Sequence, residues 1–273
     1  MFGEIVGAAL ADCWQRAGAQ SDAIYAELGP GRGTLTADAL RVLRGARFAG
    51  EVHLVETSPA LREAQAIRVP EVYWHGAIEQ LPEAPMLLAA NEFLDALPIR
   101  QWVGDQERHI VLRDERLSFS MEGSIGEDSP ARDLAVDEIA RHLTAHGGVA
   151  LVIDYGHSKS TDGDTLQAVR DHEYADPLAD PGEADLTAHV DFESVANAAG
   201  AAGAKVTRVV PQGVWLERLG IAARTKALAQ SHPQRAEEFE VARNRLCDPN
   251  QMGDLFKVIA INSPDWPVPA GFK

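Results

Sequence analysis

An α/β fold with one doubly wound, mostly parallel sheet is predicted from three observations. Short apolar segments alternate with helical patterns along the 273 residues. The first strand runs into a turn with glycine at alternate positions, Gly29-Pro30-Gly31-Arg32-Gly33, and then a helix. The segment Val149-Ala150-Leu151-Val152-Ile153 is apolar on both faces, as a strand buried between two helical layers must be.

The elements follow in order. Residues 2–17 carry Ile5, Ala8, Ala9, Asp12 and Cys13 at helical spacing. Residues 23–28 form the first strand, and Thr34 is expected to cap the next helix, with Leu35, Ala39 and Leu43 on one face. Val52-His53-Leu54-Val55 is the second strand. Ser58-Pro59, a cap followed by proline at the first helical position, opens a helix to about residue 68. Val72-Tyr73-Trp74 and Pro85 to Ala90 are strands three and four. Residues 100–121 read as a β-meander inserted after strand four. Ser129-Pro130 starts a helix that turns Val136, Ile139, Ala140 and Leu143 inward and stops at Gly147. Strand five then ends at Asp154-Tyr155. Residues 158–191 read as a long polar loop, 191–203 as an alanine-rich helix and 205–210 as strand six. Two helices near 213–230 and 233–246, within a helical insertion over 211–250, precede strand seven at 255–261. The tail from Pro264 is expected to be extended. The whole chain, 1–273, is expected to be one domain.

A sheet of this kind binds ligands at the carboxyl ends of its strands. Those ends are the glycine turn, Glu56, Gly76, Asn91-Glu92 and Asp154-Tyr155. A helix N-terminus behind a glycine turn attracts polar ligands, and an acidic residue ending strand two can accept from both hydroxyls of a ribose. The pair points to a nucleoside cofactor. No lysine lies between Gly29 and Asp38, which excludes a Walker loop. The dinucleotide fingerprint needs a third glycine at 34 or 36, and both positions are threonine.

The net charge of −16 argues against a broad nucleic-acid surface or anionic membrane surface. No apolar run approaches the roughly 18 residues that span a bilayer. The first residues lack a basic segment followed by an apolar one, so a bacterial-type cytoplasmic location is expected. The two cysteines, Cys13 and Cys247, lie outside any metal spacing and read as thiols in a reducing compartment. His142 and His146 are four apart but have no acidic third ligand nearby, and no metal is expected. Trp14, Trp102 and Trp215 read as core or interface residues.

The run Glu27-Leu28-Gly29-Pro30-Gly31-Arg32-Gly33 resembles motif I of class I S-adenosylmethionine (SAM) methyltransferases. Three further stretches are similar to the MidA-like SAM-dependent methyltransferases: Asn91-Glu92-Phe93-Leu94-Asp95-Ala96-Leu97-Pro98, Ile153-Asp154-Tyr155-Gly156, and Asp185-Leu186-Thr187-Ala188-His189-Val190-Asp191-Phe192. The matches are ordered along essentially the whole chain. The resemblance implies a Rossmann-like, seven-stranded fold with SAM as cofactor. It implies cofactor contacts from Glu27, at the methionine end, and from Gly29, Gly31, Gly33, Thr34, Glu56, Thr57, Gly76, Ala77 and Asn91. The family includes a mitochondrial complex I assembly methyltransferase that modifies an arginine of a complex I subunit, so a protein acceptor is expected. Members carry a further segment ahead of the stretch resembling Met1-Phe2-Gly3-Glu4, where it helps cover the cofactor pocket; that segment is expected to be absent here.

An arginine acceptor arrives as a cation, and carboxylates grip a guanidinium in a bidentate manner. Glu92, Asp95 and Asp154 are therefore the expected catalytic clamp, with Glu92 nearest the methyl. Tyr155 and His189 are expected to contact the acceptor, with His157 and His172 as weaker candidates. A small-molecule acceptor stays open, as does a SAM-binding assembly factor with little catalysis.

Overall fold

The computed structural model describes every residue except 171 and 172, so His172 lies outside the described residues. The central sheet has nine strands, of which Val190–Asp191 and Val210–Pro211 are short additions at its side; the seven along its path are β1 (Ile24–Leu28), β2 (Val52–Val55), β3 (Tyr73–His75), β4 (Met86–Asn91), β5 (Gly148–His157), β6 (Lys205–Val206) and β7 (Phe256–Asn262). Their order is β6-β7-β5-β4-β1-β2-β3. The pairs β1–β2, β1–β4, β4–β5 and β2–β3 are parallel, and β7 runs antiparallel to β5 and β6. The predicted mostly parallel sheet is observed, with Val190–Asp191 added beside β5 and Val210–Pro211 beside β7.

Alternation along the strands divides the core in two. Leu87, Ala89, Val149, Leu151, Val258 and Ala260 face one layer, built on α1 (Phe2–Arg16), α2 (Thr34–Gly45) and, further along the chain, Trp215. Leu88, Ala90, Ala150, Val152, Ile259 and Ile261 face the other layer, built on α4 (Pro130–His146) and α5 (Phe192–Ala201). Helix α3 (Pro59–Arg68) follows β2, and the Ser58 hydroxyl accepts from the Leu61 amide at its start. Ser129 caps α4 in the same way through the Arg132 amide.

Five local expectations are corrected. Thr34 is the first residue of α2 rather than its cap; Gly33, in the left-handed region, takes that place and no side chain caps the end. The β-insertion extends beyond residue 121 to Asp128. Strand Ile125–Asp128 joins Arg100–Val103 and Gln106–Arg108 in one small sheet, while Ile110–Arg113 and Arg116–Phe119 pair separately. Glu127 and Asp128 hide this strand from a hydrophobic pattern; its pairing is non-local. Residues 158–191 are not a plain loop: Gln167–Arg170, Glu173–Ala175 and Asp185–Thr187 form a three-stranded sheet, although only Ala168 among them is buried. Strand six is interrupted after Val206, because the Thr207 hydroxyl accepts the Ala260 amide where a backbone carbonyl would. The helix near 213–230 breaks at Gly220, φ 84°, into α6 (Gln212–Arg218) and α7 (Ile221–Ser231). Then α8 (Ala236–Cys247) follows.

Trp14 and Trp215 are buried, and the Trp102 indole donates to Asp128. In the tail, Trp266 and Phe272 are buried against the α1 layer. Both cysteines are free thiols. His142 donates through Nε2 to the Ala84 carbonyl, a structural use of that ring. No helix among the described residues is long and apolar enough to cross a membrane.

Candidate active site

The chain leaves β1 for β2 and β3 on one side, then returns to place β4 on the other side of β1. The loops after β1 and β4 therefore diverge and open a crevice, the point at which such sheets bind ligands. On the β1 side stand Gly29, Gly31 and Gly33, with φ of 59°, 52° and 74°. A side chain at any of them would be strained, and a Cβ on Gly29 would approach the Phe93 ring to 3.3 Å. The Gly29 amide donates to the Val55 carbonyl, which ties the turn to β2.

At the end of β2, Glu56 is nearly buried. One carboxylate oxygen accepts the Ser58 amide at 2.8 Å and the other the Gln65 amide group at 3.4 Å. A carboxylate has about four acceptor sites, so capacity remains for a ribose diol. Gln65, missed in the sequence, is fully buried: its Nε2 also donates to the Gly31 carbonyl at 2.7 Å, and its Oε1 accepts from the Trp74 indole at 2.8 Å. It thereby joins the glycine turn to the second carboxylate. Its position on α3, one turn before the helix end, offers no pattern to separate it from a surface glutamine.

Thr57 is exposed beside Glu56. Gly76 and Ala77 follow β3, whose His75 is in register with Val55, so these four residues share one edge of the crevice. The Gly76 amide donates to the Gln80 side chain. Thr34 is exposed and accepts from Arg68.

Glu27 lies beneath the glycine turn. Its Oε2 accepts from the Tyr25 hydroxyl at 2.7 Å and from the Thr36 hydroxyl at 2.5 Å. Burial pushes its carboxyl up to about 7, against the two hydroxyl hydrogen bonds, which lower it. The folded value lies above the unfolded one, so the stability linked to this group is complete below about 4.5 and is lost as pH rises through about 7. Without ligand, the unfolding free energy in urea is expected to fall by roughly 2–3 kcal/mol between about pH 5 and pH 9. Glu27→Gln is expected to remove that part of the slope; equal slopes for the two proteins would refute the assignment.

The β4 side carries the acidic residues. Glu92 has φ 52°, an uncommon backbone state for a long side chain, and its amide donates to the Ile153 carbonyl. Its side chain reaches solvent and accepts from Asn91. The surrounding cleft walls, and then the nearby Asp95, raise its pKa. Asp95 is buried, with Oδ2 accepting from the Tyr155 hydroxyl at 2.8 Å. Its Oδ1 is buried as well and finds no hydrogen-bond partner among the described residues. Burial raises the Asp95 pKa.

Asp154 does not join a clamp at the surface. It is fully buried, Oδ2 accepts the Leu94 and Asp95 amides at 3.0 and 3.2 Å, and Oδ1 accepts the Tyr155 amide. Its carboxylate is turned into the Leu94-Asp95 turn and shapes the clamp from behind. Burial, and then Asp95, push its pKa well up.

Arg132, also missed, is the counterpart of Asp154. Its guanidinium donates to the carbonyls of Leu94, Asp95, Ala188 and His189, at 2.7 to 3.3 Å, and so pins the turn after β4 to the Thr187–Val190 segment. Burial lowers its pKa, while Asp154 and Asp95 oppose that. The sequence held one signal: an arginine in the first turn of a helix opposes the dipole and needs another reason to be there.

His189 serves partly as a loop organiser: its amide donates to Thr165, its carbonyl accepts from Arg132, and its ring meets Tyr155 edge to face at 5.6 Å. Glu92, Asp95, Tyr155 and His189 line one cavity of about 890 Å³, together with Glu173, Asp185 and Arg245. His157 lies outside it, in a smaller cavity of about 190 Å³. Among the described residues, no group of three or more His, Cys, Asp or Glu side chains is placed to hold a metal.

A family model described as "Putative S-adenosyl-L-methionine-dependent methyltransferase" matches residues 5–117 and 108–210. The chain is 34% identical to the Drosophila melanogaster protein arginine methyltransferase NDUFAF7 homolog, mitochondrial, across 96% of this chain and 72% of that protein. It is 29% identical to the Homo sapiens protein arginine methyltransferase NDUFAF7, mitochondrial, across 96% and 71%. An uncharacterized protein of Burkholderia thailandensis superposes with a TM-score of 0.84 at 25% identity, over 100% of this chain and 79% of that one. A Burkholderia thailandensis structure bound to S-adenosyl-homocysteine superposes with a TM-score of 0.83 at 24% identity, over 99% and 78%.

Proposed function

Because this chain belongs to the S-adenosyl-L-methionine-dependent methyltransferase family, we propose that it methylates an arginine side chain of a protein acceptor. SAM supplies an electrophilic methyl group on a positively charged sulfur. The chain fits this cofactor: three glycines with positive φ leave the β1 turn open at the crevice, and Glu56 keeps acceptor capacity at the end of β2. Gly29, Gly31, Gly33, Glu56, Thr57, Gly76, Ala77 and Asn91 would hold it, with Glu27 below the turn.

The observation that carries the arginine reading is the pair of carboxylates, Glu92 and Asp95, on the wall of the acid-lined cavity, with the buried Oδ1 of Asp95 left without a donor among the described residues. A buried acceptor without a donor is costly unless a ligand satisfies it. A guanidinium offers donors in a planar fork and a charge that relieves the crowding of Glu92, Asp95 and Asp154. Tyr155 holds Asp95 in place through the other oxygen. Glu92, open to the cleft, would orient the acceptor nitrogen and take up the proton it releases on methylation. The names of the arginine methyltransferase relatives support the same acceptor.

Incubation with SAM labelled in the methyl group, together with candidate proteins that include complex I subunits, tests this. Label on an arginine, located by mass spectrometry, is expected. Label only on small molecules, or SAM binding by calorimetry with no transfer to any protein, would overturn it.

A further inference from the structure

The acid-lined cavity has a neighbour. Asp95 and Ala96 after β4, with Leu186 and Thr187, form a ridge that lines both it and a second cavity of about 490 Å³. The chemistry changes across the ridge. Beyond it Leu97, Ile99, Ile110, Phe119, Leu166 and Leu186 line the walls, with Arg100, Glu107 and His109 among them. Arg108, the one buried cation there among the described residues, is already engaged: it donates to Gln101 at 2.9 Å, to Asp164 at 2.7 Å and to the Met121 carbonyl at 3.1 Å, and it lies 3.5 Å over the Phe119 ring. Most of the surface this cavity offers a ligand is therefore apolar.

Exposed apolar side chains gather at the same place. Among the described residues eleven large hydrophobics are exposed, and Ile110, Tyr174, Leu186 and Leu255 of these line the two cavities. They offer a bound polypeptide apolar surface on both sides of the ridge.

We propose that the second cavity is a subsite for the polypeptide acceptor, and that it takes a bulky apolar side chain flanking the arginine that enters the first. The occupant follows from continuity and charge. A segment seated at Glu92 and Asp95 must cross the Ala96–Leu186 ridge, and its cationic and apolar side chains then meet walls of matching chemistry. This inference rests on the arginine reading and adds a sequence preference to it.

The test uses the full chain with SAM and short fluorescent peptides. Each peptide has one arginine in an alanine–serine background, and a single leucine is moved through the flanking positions. Fluorescence anisotropy reads binding, and label transfer from SAM is read in parallel. One leucine register is expected to bind about tenfold tighter than the peptide without leucine. Ile110→Asp, at an exposed site on the cavity wall, is expected to abolish that gain and to leave the leucine-free peptide within about twofold. Equal affinity in all registers, a gain that survives Ile110→Asp, or no binding by any peptide would overturn the subsite. Transfer without register preference would remove the subsite and leave the arginine reading standing. Register-dependent binding without transfer would do the reverse.

Discussion

Glu92→Gln is expected to slow methyl transfer by at least about a hundredfold while SAM affinity changes by less than about twofold. Glutamine has nearly the shape of glutamate, so the strained turn held by the Glu92 amide and the Ile153 carbonyl survives. What disappears is the negative charge that attracts the acceptor and the site that takes its proton. The pH profile gives a second readout. Cleft burial and Asp95 place the Glu92 pKa above the ordinary glutamate value, so the native rate should rise with pH through that raised value before levelling. The variant should lack this limb. A rate within about twofold of the native one, with SAM still bound, would remove Glu92 from the chemistry.

Arg132→Met is expected to lower the unfolding free energy by about 3–5 kcal/mol and the melting temperature by roughly 10 °C. Methionine keeps much of the buried volume but leaves the carbonyls of Leu94, Asp95, Ala188 and His189 without a shared donor. It also strips Asp154 and Asp95 of the cation that offsets them. Transfer should fall with stability, because the two segments that shape the acid-lined cavity are no longer tied. Arg132→Lys should recover little, since one ammonium cannot reproduce a planar fork spread over four carbonyls. Thermal unfolding by circular dichroism decides, and a shift below about 2 °C would show that the network is not what holds these segments.

Much of the site was legible where local chemistry is one-dimensional. Gly29, Gly31 and Gly33 announce a turn that only glycine tolerates at alternate positions, and Glu56 falls at a strand end whose length is set by an apolar run. Glu92 and Asp95 were legible for the same reason, at the end of β4. Asp154 shows the limit. It lies within β5, which runs on to His157, rather than at the strand's end, and its carboxylate is spent on the Leu94 and Asp95 amides, which only the path of the neighbouring turn reveals. Gln65 and Arg132 were invisible because each acts on segments far away in sequence. The strands within 158–191 were missed because they are only three or four residues long and each face mixes polar with apolar residues, so the alternation that betrays a half-buried strand is absent.

By itself the sequence determined the mostly parallel α/β sheet, the crevice at its carboxyl edge and a nucleoside cofactor there, which the family resemblance identified as SAM. Apolar period, glycine placement and strand-end residues are properties of contiguous segments, and the physics that reads them is short-ranged. Tertiary structure alone decided which carboxylates line the large cavity and which serve the frame, and that an acid-lined cavity adjoins a mostly apolar one. Those outcomes depend on hydrogen-bond partners and walls contributed by β4, α4 and the 185–189 segment together, and burial and pairing exist only once these elements have packed.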